Sequence, residues 1–172
     1  MSPEYHKTEA HPASLENETK TVIEESRMVL PGIQAVFGFQ LMAVFNNGFE
    51  QLTSPEKILH LCALVLMAIA VVLIMTPASY HRIAEKGVVS RRFVDIGSRL
   101  LALAMLPLML GLSAEVFIVA RLIVKDIGIC TALTVLLIIL FLSFWYLFPW
   151  IERRLGLAAS IQRSETNSEG SK

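Results

Sequence analysis

Three ionisable residues sit where charge is expensive. Glu115 lies inside a long apolar run, His60 sits one turn into another, and Arg121 follows closely on the run that holds Glu115. A charged side chain in hydrocarbon costs roughly 2.5–3.5 kcal/mol on insertion scales and marks a functional site by default. Glu115 is about a turn and a half from the end of its run, where snorkelling and pairing with Arg121 or His60 reduce that cost. Two chemistries follow. The three residues form a structural ion pair between helices, or they form a candidate proton or cation site in which Glu115 carries the exchangeable charge. Asn46, Asn47 and Glu50 fall at the same depth and extend the polar group into a vestibule.

Uncharged polar residues add to this picture. Gln34 and Gln40 share one apolar segment and point about 120° apart on a helix, so each is expected to hydrogen-bond a different neighbouring helix. The hinge Pro77-Ala78-Ser79-Tyr80-His81-Arg82 stands where an apolar helix meets a basic loop. Its tyrosine ring suits the headgroup belt, and its guanidinium can reach lipid phosphate. With Lys86, Arg91, Arg92 and Arg99 it predicts contact with anionic lipid across residues 82–99. Gly97, Ala104 and Gly111 recur every seven residues. Small residues at that spacing predict a close-packed helix face, either within the bundle or between subunits, and the expectation is a homo-oligomer through it.

Other chemistries lack their residues. The chain has no nucleophile elbow, no HExxH, no glycine-rich phosphate loop and no paired intramembrane aspartates, which argues against an enzyme. Neither a cofactor nor a metal is expected, because no CxxC or Cys/His cluster exists. Cys62 and Cys130 both lie in apolar runs, where cysteine packs as a small hydrophobe; a disulfide between them stays open. The net charge of zero provides no field for nucleic acid.

The elements that must position these groups follow from hydropathy. Of the 172 residues 54% are hydrophobic and 17% charged, and the mean hydropathy is +0.58. Such values point to membrane spans. The sequence predicts an all-α protein: a four-transmembrane-helix bundle with disordered polar termini. Residues 1–18 read as a disordered tail and residues 152–172 as a polar one. The membrane domain, 19–151, holds spans at about 28–45, 57–75, 96–119 and 127–148. A short interfacial helix, or a frayed extension of the span itself, leads into the first. Thr53-Ser54-Pro55-Glu56 reads as a helix start, Thr76-Pro77 as the end of the second span, and Pro107 as a kink in the third. Trp145, Tyr146 and Trp150 form an aromatic belt at the end of the fourth. No basic segment followed by an apolar core opens the chain, so no cleaved signal peptide is expected.

Charge sets the orientation. Of the 15 Lys and Arg residues, only Lys57, Arg121 and Lys125 fall on the face opposite the termini. The positive-inside rule therefore predicts an inner-membrane protein with both termini cytoplasmic.

Several stretches carry a resemblance to a known group. Glu25-Ser26-Arg27 with Gly32-Ile33-Gln34, the run from Phe37 to Phe45, Pro77-Ala78-Ser79-Tyr80-His81-Arg82 and Ser98-Arg99-Leu100 are the segments concerned. Across residues 20–150 the chain resembles an uncharacterised bacterial family of small four-span membrane proteins. The Pro-x-x-Tyr-His-Arg hinge is the most specific element. Some members of that family carry an automatic label of sodium–proton antiporter, and the family supplies no catalytic residues to carry over. The expectation is a packing or interaction module of the membrane; alternatives are an ion pathway at Glu115 with His60 and Arg121, or an anionic-lipid-binding accessory.

Overall fold

The computed structural model of the chain describes residues 12–84, 90–124 and 126–156. They form α1 (Pro12–Ala43), a single turn α2 (Asn47–Glu50), α3 (Ser54–Ala84), α4 (Arg91–Val124) and α5 (Ile127–Leu142). A π turn, Ser143–Leu147, follows α5, and helix continues to Gly156. The fold is all-α. Among the described residues three helices are long and apolar enough to cross a membrane: Ser54–Ile83, Arg91–Val124 and Ile127–Gly156. The expected count of four is therefore met only in part. The exception is α1, whose apolar half holds both glutamines and whose first half is rich in charge.

Helix starts follow local chemistry. At α3, Glu56 Oε2 accepts from both the Thr53 backbone N–H and the Thr53 hydroxyl at 2.8 Å. The carboxylate thus reaches back to the capping residue and satisfies an N–H that helix geometry leaves open. Asp126 Oδ1 accepts from Ile129 N at 3.0 Å and starts α5, Ser90 Oγ accepts from Phe93 N at 3.2 Å ahead of α4, and Asn46 Oδ1 accepts from Gly48 N at 3.1 Å to start α2.

Three sequence-based boundaries shift. α1 begins at Pro12, so residues 12–18 of the expected disordered tail are helical; residues 1–11 lie outside the described set. The stretch read as an interfacial helix or an extension of the first span is the extension: it is continuous with α1, and its Thr19, Val22 and Ser26 side recurs at helical spacing and is buried. Ser26 turns its hydroxyl onto the Val22 carbonyl at 2.9 Å, so this polar group is satisfied without a partner helix. α3 does not stop at Pro77 but runs to Ala84. Proline removes one N–H and crowds the carbonyl four residues back, a cost packing can offset; here Pro77 is among the fully buried side chains. At the other terminus helix extends to Gly156, past the expected start of the tail at 152, and residues 157–172 lie outside the described set.

The chain divides into two compact units, one ending at Leu112 and the other beginning at Ser113. In the first, α1 and α3 pack side by side around Ile33, Met67 and Ile74, and Ala104 of α4 joins them. Val36, Phe37, Val71, Leu101 and Leu108 surround this centre. The glycines of α4 explain its close approach. A Cβ on Gly97 would lie 2.8 Å from Val22 Cγ1 and 3.7 Å from Pro77 Cβ, and one on Gly111 would lie 3.3 Å from the Ala63 carbonyl oxygen and 3.2 Å from Met67 Sδ. Ala104 between them is 1% exposed. The Gly97/Ala104/Gly111 face is thus taken up inside the chain, against α1 and α3.

The second unit contains the last turns of α4 and all of α5. Thr131, Thr134 and Ser143 each donate their hydroxyl to the carbonyl four residues earlier, at 2.7, 2.9 and 2.7 Å. These polar groups need no outside partner, which suits a helix surrounded by lipid. Only 6% of the apolar window of this helix is covered, against 33% for α4. Trp145 packs on Phe141 with centroids 4.6 Å apart, and the Arg154 guanidinium lies 4.1 Å from the Trp150 ring. A ring that meets a cation in this way suits the boundary between hydrocarbon and water.

Candidate functional site

One end of the α1–α3 pair holds a buried polar group. His60, on the second turn of α3, is 3% exposed, and its Nε2 lies 3.1 Å from the Gln40 carbonyl oxygen. A carbonyl only accepts, so Nε2 carries the hydrogen and donates into the last turn of α1. The connection between the helices folds over this contact: Phe49 meets the imidazole edge to face at 5.3 Å, and Leu52 is buried. Lys57 Nζ stands 5.8 Å from the centroid of Phe49 and 3.5 Å from the Glu50 carbonyl oxygen. Asn46, Asn47 and Glu50, expected as a vestibule, are exposed along this connection.

The two glutamines part company. Gln40 is 4% exposed while Gln34 is exposed. Their separation of about 120° forbids both from facing α3. The interhelical hydrogen bond expected of Gln40 does not form, since neither its Oε1 nor its Nε2 has a hydrogen-bond partner among the described residues. Gly32 and Gly38 have nothing within 4 Å of the place a Cβ would take. The packed side of α1 is instead the one carrying Val22, Ile33 and Gln40.

The opposite end of the pair is the Pro77–Arg82 hinge. Phe93, from the first turn of α4, is 1% exposed and lies under both aromatic residues of the hinge. Its ring stacks on Tyr80 at 6.1 Å and 21°, and meets His81 at 5.4 Å. Burying such a ring fully stabilises by about 1.5–3 kcal/mol, so Phe93 pins the end of α3 to the start of α4. Arg82 is exposed, as are Arg91, Arg92 and Arg99, and Arg91 Nη1 lies 3.8 Å from Glu18 Oε1. Lys86 lies outside the described residues.

Of the expected ion site, His60 belongs to the first unit, and Glu115 and Arg121 belong to the second. Both of the latter are half-buried on α4, about 9 Å apart along the axis by helix rise, and neither stands without an interaction. Cys62 is exposed, Cys130 is buried, and both are free thiols. Among the described residues no three His, Cys, Asp or Glu side chains gather as metal ligands.

A family model described as a family of unknown function, DUF6328, matches residues 8–149. The chain belongs to the DUF6328 family. No curated protein and no solved structure matches it. The DUF6328 match takes in α1 to α4, α5 and the π turn, so both ends of the α1–α3 pair lie within it. Its biochemical role is unknown, and the chain's residues must supply the functional reading.

Sequence reasoning missed Phe93, which sits in a basic stretch that reads as loop. Its signal is an apolar residue directly after Arg91-Arg92, with Val94 and Ile96 continuing a helical pattern. It also missed the role of Gln40's main chain as acceptor for His60, which depends on where α1 ends.

Proposed function

We propose that the chain is a four-span protein of the cytoplasmic (inner) membrane, with both termini cytoplasmic, that acts as a helix-packing and interaction module and associates with a second copy of itself. The fourth span is α1. Val22 lies level with Pro77 beside Gly97, and Gln40 lies level with His60. From Val22 to Gln40 a helix rises about 27 Å, and from His60 to Pro77 about 26 Å. α1 therefore accompanies α3 through most of the roughly 30 Å of hydrocarbon, and where α3 crosses, α1 crosses with it.

One observation carries the association. Gln34, Gly38 and Leu41 share an outward face of α1 at i, i+4 and i+7, all three are exposed, and Gly38 has open space around it. An amide at mid-bilayer needs a hydrogen-bond partner, and a glycine one turn away lets another backbone come close enough to supply it. The test is energy transfer between differently labelled full-length copies in liposomes. Gln34→Leu and Gly38→Leu abolish transfer while the melting of the single chain is preserved. Full transfer in both variants would refute the reading.

A second reading is favoured by Glu115, a carboxylate half-buried in the apolar helix α4: a proton or cation pathway that uses Glu115 with Arg121 of the same helix. Proton and sodium flux into liposomes, with Glu115→Gln beside the unaltered chain, decides it. Flux lost in the variant supports a pathway, and no flux in either removes it.

A further inference from the structure

A groove of about 450 Å³ opens along the outer side of α3, lined by Val72, Met75, Thr76, Ser79, Tyr80 and Ile83. The spacing i, i+3, i+4, i+7 puts these residues on one face. Val72, Met75 and Ile83 are among its exposed apolar side chains. The Thr76 hydroxyl is spent on the Val72 carbonyl at 2.7 Å, so the inner part of the groove offers only hydrocarbon.

The groove straddles a boundary. The apolar helix Ser54–Ile83 has 30 residues and is about 45 Å long, whereas about 20 residues suffice to cross. The Glu56 cap and Lys57 hold its first turn at one surface. Hydrocarbon therefore ends about 20 residues later, close to Pro77. Val72 and Met75 stand against acyl chains, and Ser79 and Tyr80 stand at headgroup depth.

Charge is arranged to match. Arg82 is exposed, and one heptad beyond Met75 it lies on the same face, at the outer end of the groove. Tyr80 is held in place by its stack on buried Phe93. The same turn of α4 brings Arg91 and Arg92 to this level, with Asp95 and Glu18 as the nearby acids. An apolar trough that ends in hydroxyls and a guanidinium matches the chemistry of a phospholipid, and the excess of arginine favours one with a net negative headgroup.

We infer that the groove binds an anionic phospholipid, with one acyl chain along Val72 and Met75 and its phosphate on Arg82 and the Tyr80 hydroxyl. This site is independent of the association through α1.

The experiment is native mass spectrometry of the full-length chain, titrated with phosphatidylglycerol and with phosphatidylcholine of the same chains. The unaltered protein prefers phosphatidylglycerol. Arg82→Gln lowers that preference about fivefold, the equivalent of about 1 kcal/mol for one cation at the surface, weakening phosphatidylcholine less than phosphatidylglycerol; Arg82→Lys keeps most of the preference. Ser79→Trp fills the groove and weakens both lipids. Ser79 and Arg82 are both exposed, so their replacement spares the core. An unchanged lipid ratio in Arg82→Gln, or unchanged binding of both lipids in Ser79→Trp, would overturn the proposal. So would displacement of phosphatidylglycerol by millimolar inorganic phosphate, which would assign the site to the free anion.

Discussion

Gly97→Ala is the sharpest probe of the packing between α4 and the α1–α3 pair. A methyl group there meets Val22 Cγ1 at 2.8 Å, a separation that real side chains avoid, with Pro77 at 3.7 Å behind it. Val22 is β-branched and stiff at χ1, so it cannot rotate away cheaply. Overpacking of this kind costs about 1–3 kcal/mol. Alanine also favours helix over glycine by about 1 kcal/mol, which masks part of the cost. Gly38→Ala provides the reference, because nothing lies within 4 Å of its added methyl. Both substitutions carry the same helix gain, so their difference isolates the clash, and Gly97→Ala is the less stable by about 1–3 kcal/mol. Unfolding of the monomer by SDS titration in mixed micelles measures this difference. Val22→Ala placed beside Gly97→Ala removes the obstructing methyl groups, so the double variant is more stable than the sum of the singles by about 0.5–3 kcal/mol. Equal stabilities for Gly97→Ala and Gly38→Ala, with strict additivity to Val22→Ala, would refute the packing argument.

Three further expectations can be tested. Phe93→Ala leaves a cavity under Tyr80 and His81 and costs about 3–5 kcal/mol in the same titration, more than any exposed substitution in the basic stretch. His60→Ala removes the donor to the Gln40 carbonyl and the edge contact with Phe49, lowering stability by about 1–3 kcal/mol. The Lys20 hydrogen bond and charge hold the Glu16 carboxyl below its ordinary range, and the same pair raises Lys20. Its support for the first turns of α1 is therefore present at neutral pH, lost as pH falls through the lowered Glu16 value, and lost again as pH rises through the raised Lys20 value. Both side chains are exposed, so the effect is small and salt-sensitive. Carbon chemical shifts of residues 16–20 against pH detect it, and Glu16→Gln abolishes the acid limb.

The apolar spans and the capping residues were legible because they depend on local pattern. Leu-, Ile- and Val-rich runs of about 20 residues and a Thr-x-x-Glu start leave little choice. What escaped the sequence reading depends on partners. Nothing in the local pattern tells Gly38, in open space, from Gly97, in contact, and the heptad of small residues reads equally as an internal or an intermolecular face. α3 continues past Pro77 because Phe93 and Gly97 of a distant segment pack against its end. The inward turn of Gln40 and the outward turn of Gln34 follow from which face of α1 meets α3. For the site, composition marked the ionisable residues, and burial then separated His60, which donates to Gln40, from the exposed Arg82 of the hinge.

The central claim is that α1 crosses the membrane beside α3, making four spans and placing both ends of the chain in the cytoplasm. Paired reporter fusions test it directly, with a reporter active only inside the cell and one active only outside attached in turn to residue 1 and to residue 172. The account predicts inside activity at both ends and outside activity at neither. Inside activity at one end with outside activity at the other would mean an odd number of crossings and would contradict it.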